Sequence, residues 1–284
     1  MKKALKWIGI IILVIIATGA TLYMIYLRPV MNAMMTTQTI NYDPGLTLIL
    51  GGGGNTGILT SDSMVLVIDT KMDDASEKLY DTVTKIANGK PILIVNTHIH
   101  KDHMGGNAKY KGHRIMAGGN YTKEQWKDEA GEETMPTDWL KDSITFNVGK
   151  EKVTVLNLQR NTHTVSDIVV YLHNRKMLFG GDVILNKQAP ALIKKNNPDP
   201  EGYMEAFDML ESKYDIRTVV PGHGDIGGRE VIDNFRQYFK DMTAAAYDET
   251  KEDEMKKKYK DWRQIPIFMS PGGTINYIRD NKKE

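Results

Sequence analysis

The chain has 284 residues, 41% hydrophobic and 26% charged, with 37 basic against 36 acidic residues and a formal net charge of +1. These are globular values: they exclude wholesale disorder and a collagen-like repeat, and the near-zero charge gives no footprint for non-specific nucleic-acid binding. The absence of cysteine excludes disulfides, iron–sulfur clusters, thiolate zinc sites, cysteine nucleophiles and cysteine-linked lipids, so any metal must be held by His, Asp or Glu.

The N-terminus reads as a separate object. Lys2, Lys3 and Lys6 precede an uncharged, mostly apolar run of 21 residues from Trp7 to Leu27, which Arg28 and Pro29 end. As a helix this run spans about 31 Å, close to the roughly 30 Å hydrocarbon core of a bilayer. The lysines predict an N-terminus on the cytoplasmic side, with the rest of the chain outside. The competing reading is a cleaved signal peptide and a secreted product. Thr18-Gly19-Ala20 departs from an Ala-x-Ala site, however, and Leu22, Met24, Ile25 and Leu27 carry the apolar run beyond it. Residues 1–29 are therefore expected to be an anchor, 30–40 a linker and 41–284 one domain.

In that domain, Leu46–Leu50 and Ile58–Thr60 flank Gly51-Gly52-Gly53-Gly54. No Gly-Lys-Ser/Thr follows, so the glycines predict a hairpin turn rather than a phosphate cradle. Met64–Ile68 and Pro91–Val95 are continuous apolar runs, the pattern of strands buried on both faces. Between them Leu79, Val83 and Ile86 mark a helix. Ile144–Phe146 and Val153–Leu158 are predicted strands, and Ile168–Leu172 with Met177–Phe179 a hairpin. Asp199-Pro200 is a helix start, and Thr218–Val220 a short strand. Val231, Phe235, Tyr238 and Met242 form one helical stripe, and Met255, Tyr259 and Trp262 a second. Buried strands alternating with helices predict a sheet covered on both sides.

The chemistry lies at strand ends. After Pro91–Val95 comes Thr97-His98-Ile99-His100-Lys101-Asp102-His103. On an extended chain His98 and His100 point to the same side, and Asp102 and His103 sit on the turn that follows. Three imidazoles and a carboxylate within six residues suit a borderline divalent ion. Further strands end at His163 in Asn161-Thr162-His163-Thr164, at Asp182 in Gly180-Gly181-Asp182-Val183, and at His223 in Pro221-Gly222-His223-Gly224. Five His and two Asp are the count that two ions sharing one carboxylate need.

This series, His-x-His-x-Asp-His, Thr-His-Thr, Gly-Asp and Pro-Gly-His-Gly, resembles the metallo-β-lactamase-fold superfamily, in its glyoxalase II-like or hydrolase branch. Gly54-Asn55-Thr56-Gly57, Ile68-Asp69-Thr70-Lys71 and Gly105-Gly106-Asn107 extend the resemblance over about residues 46 to 240. It implies an α/β fold, a four-layer αββα sandwich with its metal site at one edge, here preceded by one N-terminal transmembrane helix. It further implies two Zn2+ per chain: His98, His100 and His163 on the first, Asp102, His103 and His223 on the second, and Asp182 between them. A water or hydroxide between the ions would attack a small-molecule substrate, with Asp102 as proton shuttle.

Departures from relatives narrow the branch. β-Lactamases of this fold lack a bridging Asp at the position of Asp182, which argues against antibiotic hydrolysis. Flavodiiron relatives have Glu where His100 stands, which argues for zinc over iron. No inserted domain or RNA-binding arm is visible, as the nuclease branches would require. Asp167, in Ser166-Asp167 where many relatives have Gly-Asp, is expected to support the ligands without being one. The expected activity is thus a membrane-tethered dinuclear zinc hydrolase of an ester, thioester, lactone or similar bond. The alternatives are a mononuclear iron thiol dioxygenase on the same fold and a non-catalytic metal-binding module. His113 and His173 are expected at the surface. The polar segment 120–141, with Tyr121, Trp126, Met135 and Trp139, is expected to be either a lid or a surface excursion packed by its own aromatics.

Overall fold

The computed structural model describes residues 2–28, 35–265 and 268–281, in two compact units, Met1–Thr36 and Thr37–Glu284. In the first, helix α1 (Lys2–Leu22) runs into a π-helical turn, Tyr23–Leu27. Its Lys6–Ile25 stretch has a mean hydropathy of 2.5 and is nowhere buried. The Thr21 hydroxyl donates to the Ala17 carbonyl at 2.8 Å, so this polar group is satisfied within the helix. Pro29 and residues 30–34 of the expected linker lie outside the described residues.

The second unit holds two sheets. The larger contains β1 (Gln38–Asp43), β2 (Leu46–Leu50), β3 (Thr56–Thr60), β4 (Val65–Ile68), β5 (Ile92–Val95), β6 (Arg114–Gly118) and β7 (Asp138–Leu140), in that spatial order. Strands β1 to β4 pair antiparallel and β4 to β7 parallel. Pairing begins at Gln38, within the stretch read as linker. The smaller sheet is ordered β12-β11-β10-β9-β8, from β8 (Ser143–Val148), β9 (Glu151–Asn157), β10 (Ile168–Leu172), β11 (Met177–Gly181) and β12 (Thr218–Pro221).

Alternation along the strands builds the layers. Leu66 and Ile68 of β4 face the intersheet core with Leu93, Val95, Val155, Val170 and Phe179. Val65 and Val67 face the other way, onto Leu79 and Val83 of α2 (Asp73–Ala87). Behind the smaller sheet, Val169 and Leu178 meet Tyr203 and Phe207 of α5 (Pro200–Lys213), Phe235 and Tyr238 of α6 (Glu230–Tyr247) and Ile275 of α8 (Pro271–Asp280). Helix, sheet, sheet and helix are thus stacked as expected. Burial on both faces explains why the central strands carry no polar alternation.

Two expectations need correction. The second stripe does not stay helical: α7 (Glu252–Lys258) ends before Tyr259 and Trp262, which lie in the turn and bend that follow, Tyr259 edge-on to Tyr238 and Trp262 stacked on it. Residue spacing alone could not separate a helix from a turn that returns its aromatics to the same core. Segment 120–141 is packed by its own aromatics, as one of its two readings expects: Trp126 meets Tyr121 and Trp139 edge-on, with Met135 against the cluster. Helix α4 (Lys123–Ala130) opens with a capping box between Thr122 and Gln125, and Trp126 is fully buried. The second correction concerns His113 and His173: both are expected at the surface and both are half-buried, His173 with Nε2 2.8 Å from the Thr154 hydroxyl.

The topology gathers several strand ends at one edge. β4 and β5 run parallel, and β9, β11 and β12 share a direction, because β10 lies antiparallel between β9 and β11. Their C-terminal ends carry Asp69, His98–His103, His163, Asp182 and His223. The amide of Ile168 donates to Thr97 O at 2.7 Å, joining the sheets there.

Candidate metal centre

Seven side chains meet at this edge in two groups, His98, His100, His163 and Asp182 in one and Asp102, His103 and His223 in the other, each group able to hold a metal ion. These are the seven residues singled out from the sequence. His98 lies in a bend, residues 97–99, just after β5 rather than in the extended chain expected of it; His100 has extended backbone, and Asp102 and His103 follow on the single turn α3 (Lys101–Met104).

In the first group His100 Nδ1 lies 3.1 Å from His98 Nε2 and 2.9 Å from His163 Nε2. A neutral imidazole carries one N–H, so one nitrogen cannot satisfy two others, and these buried lone pairs converge. Four ligands at about 2.0–2.1 Å from a tetrahedral centre lie about 3.3–3.4 Å apart, close to the observed spacing. In the second group His103 Nε2 and His223 Nε2 are 3.3 Å apart, and Asp102 Oδ2 is 3.0 Å from His223 Nε2. Asp182 stands between the groups. Its Oδ2 is 3.5 Å from His163 Nε2, while its Oδ1 is 3.1 Å from His103 Nε2 and 3.4 Å from His223 Nε2. Buried Oδ1 nevertheless accepts no hydrogen bond. A buried carboxylate oxygen aimed at nitrogens but unsatisfied by them fits a cation in the gap.

The far sides of the rings are held. His98 Nδ1 is 3.1 Å from the Thr97 hydroxyl, His163 Nδ1 is 3.0 Å from the Tyr203 hydroxyl, and His103 Nδ1 is 2.7 Å from Asp69 Oδ2. His100 Nε2 contacts the Asn196 side-chain amide. Such outer partners fix ring orientation and present the inner nitrogen to a metal. Asp167 does not meet the ring of His163. It braces the loop, accepting from the Thr162 hydroxyl and from the amide and hydroxyl of Thr164 at 2.8 and 2.7 Å.

Burial pulls His98 and His100 below the usual imidazole range and His163 down to about 3, which leaves them neutral with lone pairs available. Burial works the same way on His103, but Asp182, Asp102 and Asp69 together raise it well above that range. Burial alone would raise the Asp102 and Asp182 carboxyls; His103 and His223 hold both well below the usual carboxylate range. In Asp167, burial lifts the carboxyl to about 6 against the donors Thr162 and Thr164.

Nothing in the local sequence marks Tyr203 or Asn196 as part of the site, and Asp69, Lys71 and Asn55 enter only through the motifs that extend the resemblance. Asp69 carried a usable signal, since it too follows a buried strand at this edge. Beside the site, Ile99, Tyr121, Gln125, Val165 and Asn196 border a cavity of about 190 Å³.

Comparison with known proteins identifies the family. The profile of the Metallo-beta-lactamase superfamily matches residues 49–223, a span that includes all seven side chains. A metallo-beta-lactamase type 2 from Bacteroides fragilis is 28% identical over 192 residues, 64% of this chain and 76% of the relative. The acyl-coenzyme A thioesterase MBLAC2 of Homo sapiens is 24% identical over 214 residues, 63% of this chain and 76% of the relative. Among solved structures, a metallo-beta-lactamase from Pontibacter korlensis has a TM-score of 0.63 at 21% identity, covering 72% of this chain and 99% of that one.

Proposed function

The chain belongs to the metallo-beta-lactamase superfamily, and from that premise we propose that it is a membrane-tethered dinuclear zinc hydrolase that cleaves an ester, thioester, lactone or similar bond of a small molecule. The observation that carries this reading is the split of the Asp182 carboxylate, one oxygen toward His163 and the other toward His103 and His223. His98, His100 and His163 would hold one ion, Asp102, His103 and His223 the other, and Asp182 both. Imidazole and carboxylate donors without thiolate suit zinc. Two such ions would bring a bound water toward neutrality in pKa and polarise the bond to be cleaved.

The chain's own residues supply orientation and proton handling. Thr97, Asn196, Tyr203 and Asp69 fix the imidazoles. Asp102 is the more open of the two carboxylates, its side chain 27% exposed against 9% for Asp182. It can therefore meet substrate and take up a proton at a free oxygen. The cavity beside Ile99 and Asn196 offers room for a small substituent. The tether rests on the apolar Lys6–Ile25 helix and the lysines that precede it, which favour a catalytic domain outside the cytoplasmic membrane.

A second reading, opening of a β-lactam, is favoured by the identity to the Bacteroides fragilis enzyme. The deciding experiment is a panel of ester, thioester, lactone, β-lactam and phosphodiester substrates, run on the full chain in detergent with and without chelator. Hydrolysis of an acyl substrate that chelation abolishes and zinc restores is expected. Chelator-insensitive turnover, or none on any substrate, overturns the proposal.

A further inference from the structure

Lys71 stands outside the seven-residue set, yet its side chain is fully buried. It follows β4 in a turn where Asp69 and Lys71 both have left-handed backbones, φ +63° and +61°, a conformation non-glycine residues rarely adopt. That turn drives the side chain under the β2–β3 loop. There Nζ donates to the carbonyls of Ile49, Gly51 and Gly54 at 3.0, 2.5 and 2.7 Å. Three donors meeting three acceptors are the full capacity of an ammonium; a neutral amine would turn its lone pair on one of those carbonyls. Burial pulls Lys71 down to about 7 while Asp69 and Asp102 pull it back up.

The loop so held reaches Asp102 and His103 and the residues on either side of His223. The Gly54 amide donates to Asp102 O at 3.0 Å. A side chain at Gly54 would overlap the His103 ring, and a Cβ at Gly53 would stand 2.6 Å from Asp102 O. Asn55 brackets His223: its amide donates to Gly222 O at 2.7 Å, and its side-chain nitrogen donates to Pro221 O and Gly224 O, both at 2.9 Å. By contrast, the outer nitrogens of His98, His100 and His163 are held by Thr97, Asn196 and Tyr203.

We infer that Lys71 is a positioning residue for the Asp102–His103–His223 group, setting the glycine loop that packs on the His103 ring and hydrogen-bonds the backbone carrying Asp102 and His223. This inference rests on the reading that the two groups hold two ions. The test is titration of metal-free full-length protein with Co2+, following the spectrum as each ion enters, in wild type and Lys71→Met. Methionine keeps length and apolar bulk and removes all three donors. Wild type takes two ions. The variant keeps the first at unchanged affinity and binds the second about 10–100-fold more weakly, the usual effect of losing an outer-shell support. A purely structural lysine would lower the melting temperature and leave the gap between the two affinities as in wild type; that result, or equal weakening of both ions, overturns the inference. If Lys71→Met does not fold, Asn55→Ala tests the same loop from the His223 side, with the same expected loss at the second ion and the same overturning result. A wild type that takes only one ion overturns the two-metal reading and this inference with it.

Discussion

The Asp69 carboxylate lies 2.7 Å from Nδ1 of His103, at the heart of the site, while its two oxygens also accept from the amide and hydroxyl of Thr97 at 2.7 and 2.8 Å. The pair orients the ring so that His103 Nε2 faces Asp102, Asp182 and His223. Asp69→Asn keeps the size but removes the charge and sets an amide N–H in competition with that of the ring. The second ion should then bind about 10–100-fold more weakly, with the first unaffected. Calorimetric zinc titration of metal-free protein checks this; equal affinities in variant and wild type would remove Asp69 from the account.

Tyr203 supports the other group. Its buried hydroxyl is 3.0 Å from His163 Nδ1. Tyr203→Phe leaves that nitrogen buried without a partner, at a cost of about 1–3 kcal/mol to the metal-free protein. Thermal unfolding in chelator should show the loss, and first-ion affinity should fall with it.

At the edge remote from the site, Arg175 joins the sheets. It donates through Nε and Nη2 to Asp43 at 2.8 and 2.7 Å and through Nη1 to buried Glu151. Arg175→Met leaves the buried Glu151 carboxylate the Asn174 amide, 2.7 Å from Oε1, but no counter-charge, and should destabilise the fold by about 1–3 kcal/mol. Metal content and turnover per folded molecule should not change. Denaturant unfolding beside a metal assay separates the two effects.

Much of the site is legible because each of the seven residues follows an apolar strand: four cluster within six residues, and His163, Asp182 and His223 sit beside small or turn-forming residues; strand ends at one edge of a sandwich then meet. The supports were hidden because they are long-range. Tyr203 lies 40 residues from His163, Asn55 lies 166 from Pro221, and Lys71 lies 22 from Ile49. No periodicity links such pairs; only the folded topology does. Helix α4 was missed because its apolar side is carried by buried Trp126 among polar neighbours, too little to set a period. Tyr259 and Trp262 mislead for the opposite reason, since a turn delivers them to the core at helical spacing.

The N-terminal helix should keep the chain in membranes. After an alkaline carbonate wash the full-length protein is expected in the pellet, and a chain lacking residues 1–36 in the soluble fraction. A mature N-terminus near Thr21 in the soluble extracytoplasmic fraction would establish cleavage and secretion instead.

The central claim is that Asp182 is shared by two ions. Elemental analysis of folded protein, wild type beside Asp182→Asn, tests it most directly. The account predicts two zinc ions per wild-type chain, and in the variant a loss of the second ion with a fall in turnover and an intact fold. Asn is as good a turn residue as Asp, so a merely structural Asp182 would tolerate it. Unchanged metal content and turnover in Asp182→Asn, or less than one ion per folded wild-type chain, would contradict the account.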